Sequence, residues 1–107
     1  MAVRTFAAID VGSFELELGI YEMTYKTGIR RIDHIRHVIA LGKDTYSTGK
    51  ISYELVEEMC QVLEEFVQIM KSYKVKDYRA YATSAMREAH NRQIILDQIR
   101  VRTGLAV

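Results

Sequence analysis

The chain has 107 residues, which is room for one domain around a single hydrophobic core. Its formal net charge of +1 excludes the strong positive field that draws proteins to nucleic acid, so we expect no nucleic-acid partner. A single cysteine excludes an internal disulfide, and the apolar runs are too short to span a bilayer. Together with the lack of a signal-peptide pattern, these features predict a cytoplasmic protein without a membrane partner.

The stretch from residue 5 to residue 21 predicts a β-hairpin. A continuous apolar run ends at Asp10 and is typical of a central strand that is covered on both faces. Apolar and polar residues then alternate from Phe14 to Tyr21, and this period of two indicates a second strand. The turn between the strands therefore follows Asp10 directly.

Asp10, Gly12 and Ser13 give this turn the residue types of a phosphate site. Gly12 is expected to adopt a positive φ and to let a ligand approach the backbone closely. Free N–H groups of the turn and the Ser13 hydroxyl can hold phosphate oxygens. The Asp10 carboxylate can hold a hydrated Mg²⁺ ion. An ordinary hairpin turn explains the same residues, and both interpretations stay open at this point.

A third strand is predicted from Ile29 to Leu41, a stretch that is rich in isoleucine and valine but also contains several arginine and histidine residues. Such charges suit an edge strand, because they discourage pairing with another sheet. A basic phosphate-binding patch is the alternative interpretation. The polar stretch from Gly42 to Gly49 is predicted to be a loop, which either closes over a site or only connects two elements.

Ser52 is predicted to cap a long amphipathic helix that runs to about Tyr73. Ile51 and Val56 are spaced as a hydrophobic staple around this cap. Cys60 lies on the apolar stripe of the helix, which predicts a buried and unreactive thiol.

A fourth strand is predicted from Asp77 to Thr83, followed by a short helical segment from Ser84 to Ala89. Ser84 would begin that segment with unpaired N–H groups, which attract anions. The guanidinium of Arg87 in the same turn can hold phosphate oxygens bidentately.

A last helix is predicted from a cap at Asn91 to a stop at Gly104. The apolar run from Leu105 to Val107 follows it, where a fifth strand is expected to start. We therefore expect residues 1–107 to be the N-terminal subdomain of a larger protein, a fragment without the fifth strand and a second domain.

These elements predict an α/β fold with a mixed sheet in the order 3-2-1-4 and helices on one face. The first three strands form a meander, and the long helix crosses over to a fourth strand parallel to the first. The Asp10–Ser13 turn and the Thr83–Arg87 turn then meet at the carboxyl edge, where open α/β sheets bind ligands. The other face is expected to be apolar and to be covered by the C-terminal remainder of the protein or by a second copy.

Three stretches resemble the exopolyphosphatase / guanosine pentaphosphate phosphatase (Ppx/GppA) family, over essentially the whole chain. They are AAIDVGS at 7–13, the pattern G-x-x-x-x-x-T-G-x-x-S at 42–52, and ATSAMREAHN at 82–91. The resemblance implies the actin-like, ribonuclease-H-like fold, in which two similar domains close on a phosphorylated substrate. It also implies Mg²⁺-dependent removal of terminal phosphoryl groups from polyphosphate or guanosine pentaphosphate.

The same resemblance assigns roles to four residues. Asp10 would serve the metal or the attacking water, Gly12 and Ser13 the phosphate, and Arg87 the polyphosphate chain. The catalytic glutamate of the family lies past a further strand and is absent from these residues. The chain by itself is therefore expected to hydrolyse nothing.

The turn also departs from the family pattern. The family usually reads D-x-G-S-N-S-x-R/H-L, whereas this chain reads D-V-G-S-F-E-L-E-L, with Phe14, Glu15 and Glu17 at the altered positions. A carboxylate 4 Å from a phosphate charge costs about 4 kcal/mol at an effective dielectric constant near 20. Two alternatives to a phosphatase therefore stay open: a diverged, non-catalytic module that binds polyphosphate or a nucleotide, and an interaction module that uses the uncovered sheet face.

Overall fold

The computed structural model describes residues 3–107. Within this range, four strands and four helices follow one another in an α/β arrangement. In chain order they are β1 (Arg4–Val11), β2 (Glu15–Thr24), β3 (Gly28–Val38), α1 (Leu41–Thr48), α2 (Tyr53–Ser72), β4 (Asp77–Ala82), α3 (Ser84–Arg87) and α4 (Arg92–Thr103). No helix of the described range is long and apolar enough to cross a membrane.

The strands form one sheet in the order β3-β2-β1-β4, as predicted. β1 pairs with β2 and β2 with β3 in the antiparallel sense, and β4 lies parallel to β1. Helix α2 lies in the connection between β3 and β4 and packs against the sheet. Because β3 lies at one end of this order, its charged residues are on an edge strand, as the sequence predicts.

One face of the sheet packs beneath α2 and α4 and forms the hydrophobic core. The register places Ile9 beside Leu18 on one side and Ala80 on the other, and all three side chains are buried. Phe66 of α2 and Ile99 of α4 are fully buried in the same cluster. The alternation of apolar residues along β2 therefore places its apolar side chains on the sheet face that packs against the helices.

The opposite face of the sheet has no helix over it within residues 3–107, and it is less apolar than expected. Phe6 and Tyr21 stack there with ring centroids 5.2 Å apart. At the other end of the same face, Glu17 and Arg36 form an ion pair. The prediction of an apolar face is wrong in this respect, because the odd-numbered residues of β2 include two glutamates, both of which pair with Arg36 of β3.

The long helix begins as the sequence predicts. The Ser52 hydroxyl accepts a hydrogen bond from the backbone N–H of Leu55 at 3.3 Å, so Ser52 is the N-cap. Ile51 and Val56 on either side of the cap are buried. Cys60 is completely buried on the apolar stripe of the helix, which confirms the prediction of a buried cysteine. This burial raises the pKa of the Cys60 thiol.

The segment predicted as a polar loop is instead helix α1, and β3 ends at Val38 rather than at Leu41. Leu41 and Thr45, one helical turn apart, are both buried, so tertiary packing overrides the weak helix propensity of the glycine, serine and threonine residues. Gly49 ends the helix in the left-handed conformation, with φ of 81°. The chain therefore places a helix, and not an open loop, beside the sheet edge.

Two smaller boundaries and one helix cap also differ from the prediction. β4 ends at Ala82, and α3 ends at Arg87 rather than Ala89. Asn91 stands before α4, but its side chain makes no capping hydrogen bond. It donates to the Ile51 carbonyl at 2.9 Å and accepts from the Ile51 N–H at 3.2 Å. Asn91 thus fastens the start of α4 to the segment before α2.

Replacing Thr45 by valine is expected to destabilise the fold by about 1–3 kcal/mol, because a buried carbonyl would lose its partner. The Thr45 hydroxyl donates to the Ala85 carbonyl at 2.8 Å and is the buried link between α1 and α3. Urea unfolding measures the change. Thr48→Val is the matched control, because the Thr48 hydroxyl is exposed and makes only local hydrogen bonds, to the Asp44 and Lys50 carbonyls and from the Lys50 N–H. Equal stability of the two variants would contradict this role of Thr45.

Candidate functional site

The tip of the first hairpin is a two-residue loop, Ser13-Phe14, closed by a hydrogen bond from the Gly12 N–H to the Glu15 carbonyl at 2.9 Å. The expected positive φ at Gly12 is wrong, because Gly12 is not among the left-handed residues of the described range. Glycine is needed here for a different reason. A Cβ atom at this position would lie 2.9 Å from the Glu15 carbonyl oxygen.

The two predicted turns meet at the carboxyl edge of the sheet. Val11 and Ala82 are the last paired residues of β1 and β4. Beyond them, the Thr83 N–H donates to the Val11 carbonyl at 3.0 Å, and the hydroxyls of Thr83 and Ser13 are 3.5 Å apart. The parallel pairing of β1 and β4 therefore brings the hairpin tip and the β4–α3 turn into contact.

Helix α1 is a third element of this edge. It replaces the loop that was expected either to close over a site or to connect two elements, and its Tyr46 is not among the predicted site residues. The Tyr46 hydroxyl lies 3.2 Å from the Ser13 hydroxyl and is also hydrogen-bonded to the Ser84 hydroxyl. The Gly42 N–H donates to the Ser13 carbonyl at 2.7 Å. We call Ser13, Tyr46, Thr83 and Ser84 the rim hydroxyl cluster.

A prediction of helix over residues 41–48 would have identified Tyr46 as a site residue. One turn of helix places Tyr46 over Gly42, and a Cβ atom on Gly42 would lie 3.0 Å from the tyrosine ring. Thr83, the other member missed by sequence reasoning, directly precedes the predicted site residue Ser84. It lies at the end of the predicted fourth strand, where ligands are expected in this fold class.

Asp10 is exposed at the end of β1, on the face of the sheet that carries no helix. In the register it stands between Glu17 of β2 and Tyr81 of β4. Asp10 and the rim hydroxyl cluster thus occupy the same carboxyl edge of the sheet, with the carboxylate on the open face.

The Arg87 side chain is not part of the rim hydroxyl cluster, although the Arg87 backbone N–H donates to the Thr83 carbonyl at 3.1 Å. Arg87 is the last residue of α3, is exposed, and accepts a hydrogen bond from the Arg92 guanidinium at its carbonyl. Together with Arg92 and Val107 it lines a cavity of about 320 Å³ beside β4. Within residues 3–107, no hydrogen bond joins the Arg87 guanidinium to the cluster. Of the predicted site residues, Ser13 and Ser84 are therefore linked through the Tyr46 hydroxyl, and the Arg87 guanidinium makes no such link in the described range.

The altered residues of the turn do not leave two unpaired carboxylates at the site. The Arg36 guanidinium lies 2.6 Å from the Glu15 carboxylate and 3.5 Å from that of Glu17. His34 lies 3.6 Å from Glu17. Arg36 and His34 of β3 therefore contact carboxylates of β2. This favours the interpretation of these basic residues as edge-strand charges over their interpretation as a phosphate-binding patch.

The ion pair with Arg36 holds the pKa of the Glu15 carboxyl below its usual range. Because the Glu15 pKa is lower in the folded protein than in the unfolded chain, the ion pair stabilises the fold at pH values above the pKa of the unfolded chain. This stabilisation is lost as the pH falls through the pKa of the folded protein. We expect the stability difference between the wild type and Glu15→Gln to be constant from pH 7 to about 5. It should shrink below that, near the ordinary glutamate pKa of about 4.3.

Urea unfolding at a series of pH values measures this difference. Glu65→Gln is the matched control, because Glu65 is exposed on α2 and makes no ion pair in the part of the chain that the structure describes. A Glu15→Gln difference that stays unchanged down to pH 3 would show that the pair with Arg36 does not hold in solution.

The sheet order, the helical crossover and the polar carboxyl edge define an actin-like, ribonuclease-H-like α/β half-domain. The model of the Ppx/GppA phosphatase family matches residues 20–107. The chain belongs to this family.

Known relatives and solved structures agree with this assignment. Exopolyphosphatase 1 of Mycobacterium leprae is 30% identical over 98 residues, which are 91% of this chain and 29% of that protein. Exopolyphosphatase 1 of Mycobacterium tuberculosis is 28% identical over 97 residues, 91% of this chain and 28% of that protein. The chain therefore spans less than a third of the length of these curated relatives.

The crystal structure of an Aquifex aeolicus Ppx/GppA family member superposes with a TM-score of 0.94 at 29% identity. The match covers 99% of this chain and 34% of that one. An exopolyphosphatase from Cytophaga hutchinsonii superposes with a TM-score of 0.91 over 97% of this chain and 33% of its own. At 24% identity, the second comparison bears on the fold alone.

Proposed function

We propose that this chain is the N-terminal part of a phosphatase that cleaves terminal phosphoanhydride bonds of inorganic polyphosphate or guanosine pentaphosphate. The observation that carries the proposal is the contact between the hairpin tip and the β4–α3 turn, through Thr83, Val11 and Ser13. Family membership supports the reaction class. The name exopolyphosphatase, carried by the curated relatives, favours polyphosphate as the first substrate to test.

The proposed phosphate-binding residues are Gly12, Ser13 and Ser84. The Ser13 and Ser84 hydroxyls have rotatable hydrogens, so each can donate to a phosphoryl oxygen. Gly12 contributes by allowing the tight hairpin that presents Ser13. Arg87 is proposed to hold a more distant part of the polyphosphate chain, because its exposed guanidinium lies beside β4 and outside the rim hydroxyl cluster.

Mg²⁺ is the proposed cofactor, and the residues present fit it. Magnesium is bound through one or two carboxylates together with water and substrate phosphates. Asp10 offers an exposed carboxylate at the carboxyl edge. Within residues 3–107 no cluster of three or more metal-binding side chains is present. When bound, the ion would neutralise phosphoryl charge, and Asp10 is the residue proposed to hold it.

A diverged, non-catalytic module that binds polyphosphate or a nucleotide is the second candidate. Phe14, Glu15 and Glu17 replace the residues typical of the family turn, and this favours it. The pairing of Glu15 with Arg36 weakens the charge objection to an active site. The residue that would activate water is proposed to lie in the remainder of the protein, so these 107 residues alone should be inactive.

Two features of the complete protein are part of the proposal. The open sheet face is covered either by the C-terminal remainder of the protein or by a second copy of this chain. The protein acts in the cytoplasm, where the fully buried Cys60 needs no disulfide partner.

The test is phosphate release by the complete protein from polyphosphate and from guanosine pentaphosphate, with Mg²⁺ and after its removal by a chelator. We expect release from at least one substrate and its loss on chelation. Binding of both substrates without release from either would favour the non-catalytic module. Neither binding nor release would remove the phosphate-site proposal altogether.

A further inference from the structure

We propose that Tyr46 is a phosphate-binding residue of this site, with its phenol hydroxyl donating to the same phosphoryl group as Ser13 and Ser84. This inference rests on the proposed function. It adds helix α1 as a third element of a site that was expected to consist of two turns.

The position of the Tyr46 hydroxyl is the first argument. It is hydrogen-bonded to the Ser13 hydroxyl on the hairpin tip, at 3.2 Å, and to the Ser84 hydroxyl on the β4–α3 turn. The Tyr46 hydroxyl therefore links the two serine hydroxyls that are proposed to hold the phosphoryl group. The three hydroxyls come from three different elements, so their convergence is a property of the fold and not of local sequence.

The way the ring is held is the second argument. Gly42 lies directly beneath it, and a Cβ atom there would lie 3.0 Å from the Tyr46 ring, 3.1 Å from the Phe14 ring and 3.1 Å from Ser13. Helix α1 is itself fixed by the buried hydrogen bond from Thr45 to the Ala85 carbonyl. The phenol is therefore positioned before a ligand arrives, which lowers the entropy cost of binding.

Exposure and chemistry are the third argument. Tyr46 is 55% exposed, so a ligand from solvent can reach its hydroxyl without unfolding any element. A phenol is a stronger hydrogen-bond donor than an aliphatic hydroxyl.

The experiment is isothermal titration of the complete protein with inorganic tripolyphosphate, comparing the wild type with Tyr46→Phe. Loss of one hydrogen bond to a charged ligand should weaken binding about tenfold. Tyr53→Phe is the matched control, because Tyr53 is a 71% exposed tyrosine at the start of α2 with no hydrogen bond from its hydroxyl in the described range. It should bind as the wild type does.

Unchanged or tighter binding by Tyr46→Phe would overturn the inference, since the phenol would then be a brace or an obstacle. A second measurement needs no substitution: the ¹³Cζ resonance of Tyr46 in the wild type should shift on saturation with tripolyphosphate, and a resonance that stays in place also overturns the inference. Failure of the proposed function has a different result, because the wild type itself would then not bind tripolyphosphate.

Discussion

Replacing Asp10 by asparagine is expected to reduce Mg²⁺-dependent phosphate release by the complete protein by up to about a thousandfold. An attraction between unit charges 4 Å apart is about 4 kcal/mol at an effective dielectric constant near 20, and each 1.36 kcal/mol is a factor of ten in rate. Asp10 is exposed at the carboxyl edge of the sheet, so the substitution should leave the fold intact. Initial rates at a series of Mg²⁺ concentrations measure the effect.

Glu17→Gln is the matched control for this experiment. Glu17 is the register partner of Asp10, but its carboxylate is already engaged by Arg36 and His34. We expect its loss to change the rate by less than about tenfold, because the net charge it offers a metal is already reduced. Equal losses in the two variants would show that general negative charge, and not the Asp10 position, matters for the reaction.

Replacing Phe66 by alanine is expected to destabilise the domain by about 3–5 kcal/mol, the largest stability effect of any single substitution considered for this chain. Phe66 is the largest of the completely buried side chains, on the face of α2 that packs in the core. The substitution removes buried apolar surface and leaves a cavity between the helix and the sheet. Unfolding in urea should show a lower midpoint with little change in slope.

Ile94→Ala serves as the control for Phe66→Ala. Ile94 is 66% exposed on α4, so truncation there should change stability by no more than about 0.5 kcal/mol. If Phe66→Ala cost no more than Ile94→Ala, α2 would not pack on the sheet as described.

The sheet and the long helices were predictable because their signals are strong and local. The alternation along β2 determines which side chains face the core, and the apolar stripe of α2 determines which face of that helix is buried. Short connections and the need for a crossover then leave few topologies, so the order 3-2-1-4 follows. Helix α1 was not predictable in this way, because its stability comes from the burial of Leu41 and Thr45 against other elements.

The candidate site was predictable at the level of its turns and not at the level of its side chains. Parallel pairing of β1 and β4 necessarily brings Ser13 and Ser84 to one edge. The pairing of Glu15 with Arg36 depends on the register of β2 and β3, which the sequence leaves open until the strands are aligned. The contact with Tyr46 required a helix that local propensity does not indicate.

The most direct measurement of the central claim is a titration of the ¹⁵N-labelled complete protein with tripolyphosphate, followed by amide chemical shifts. If the two turns form one site, the largest shifts fall on Ser13 and Ser84, which are 71 positions apart in the sequence and are brought to one sheet edge by the fold. Shifts confined to the basic strand β3, or shifts at only one of the two turns, would contradict it.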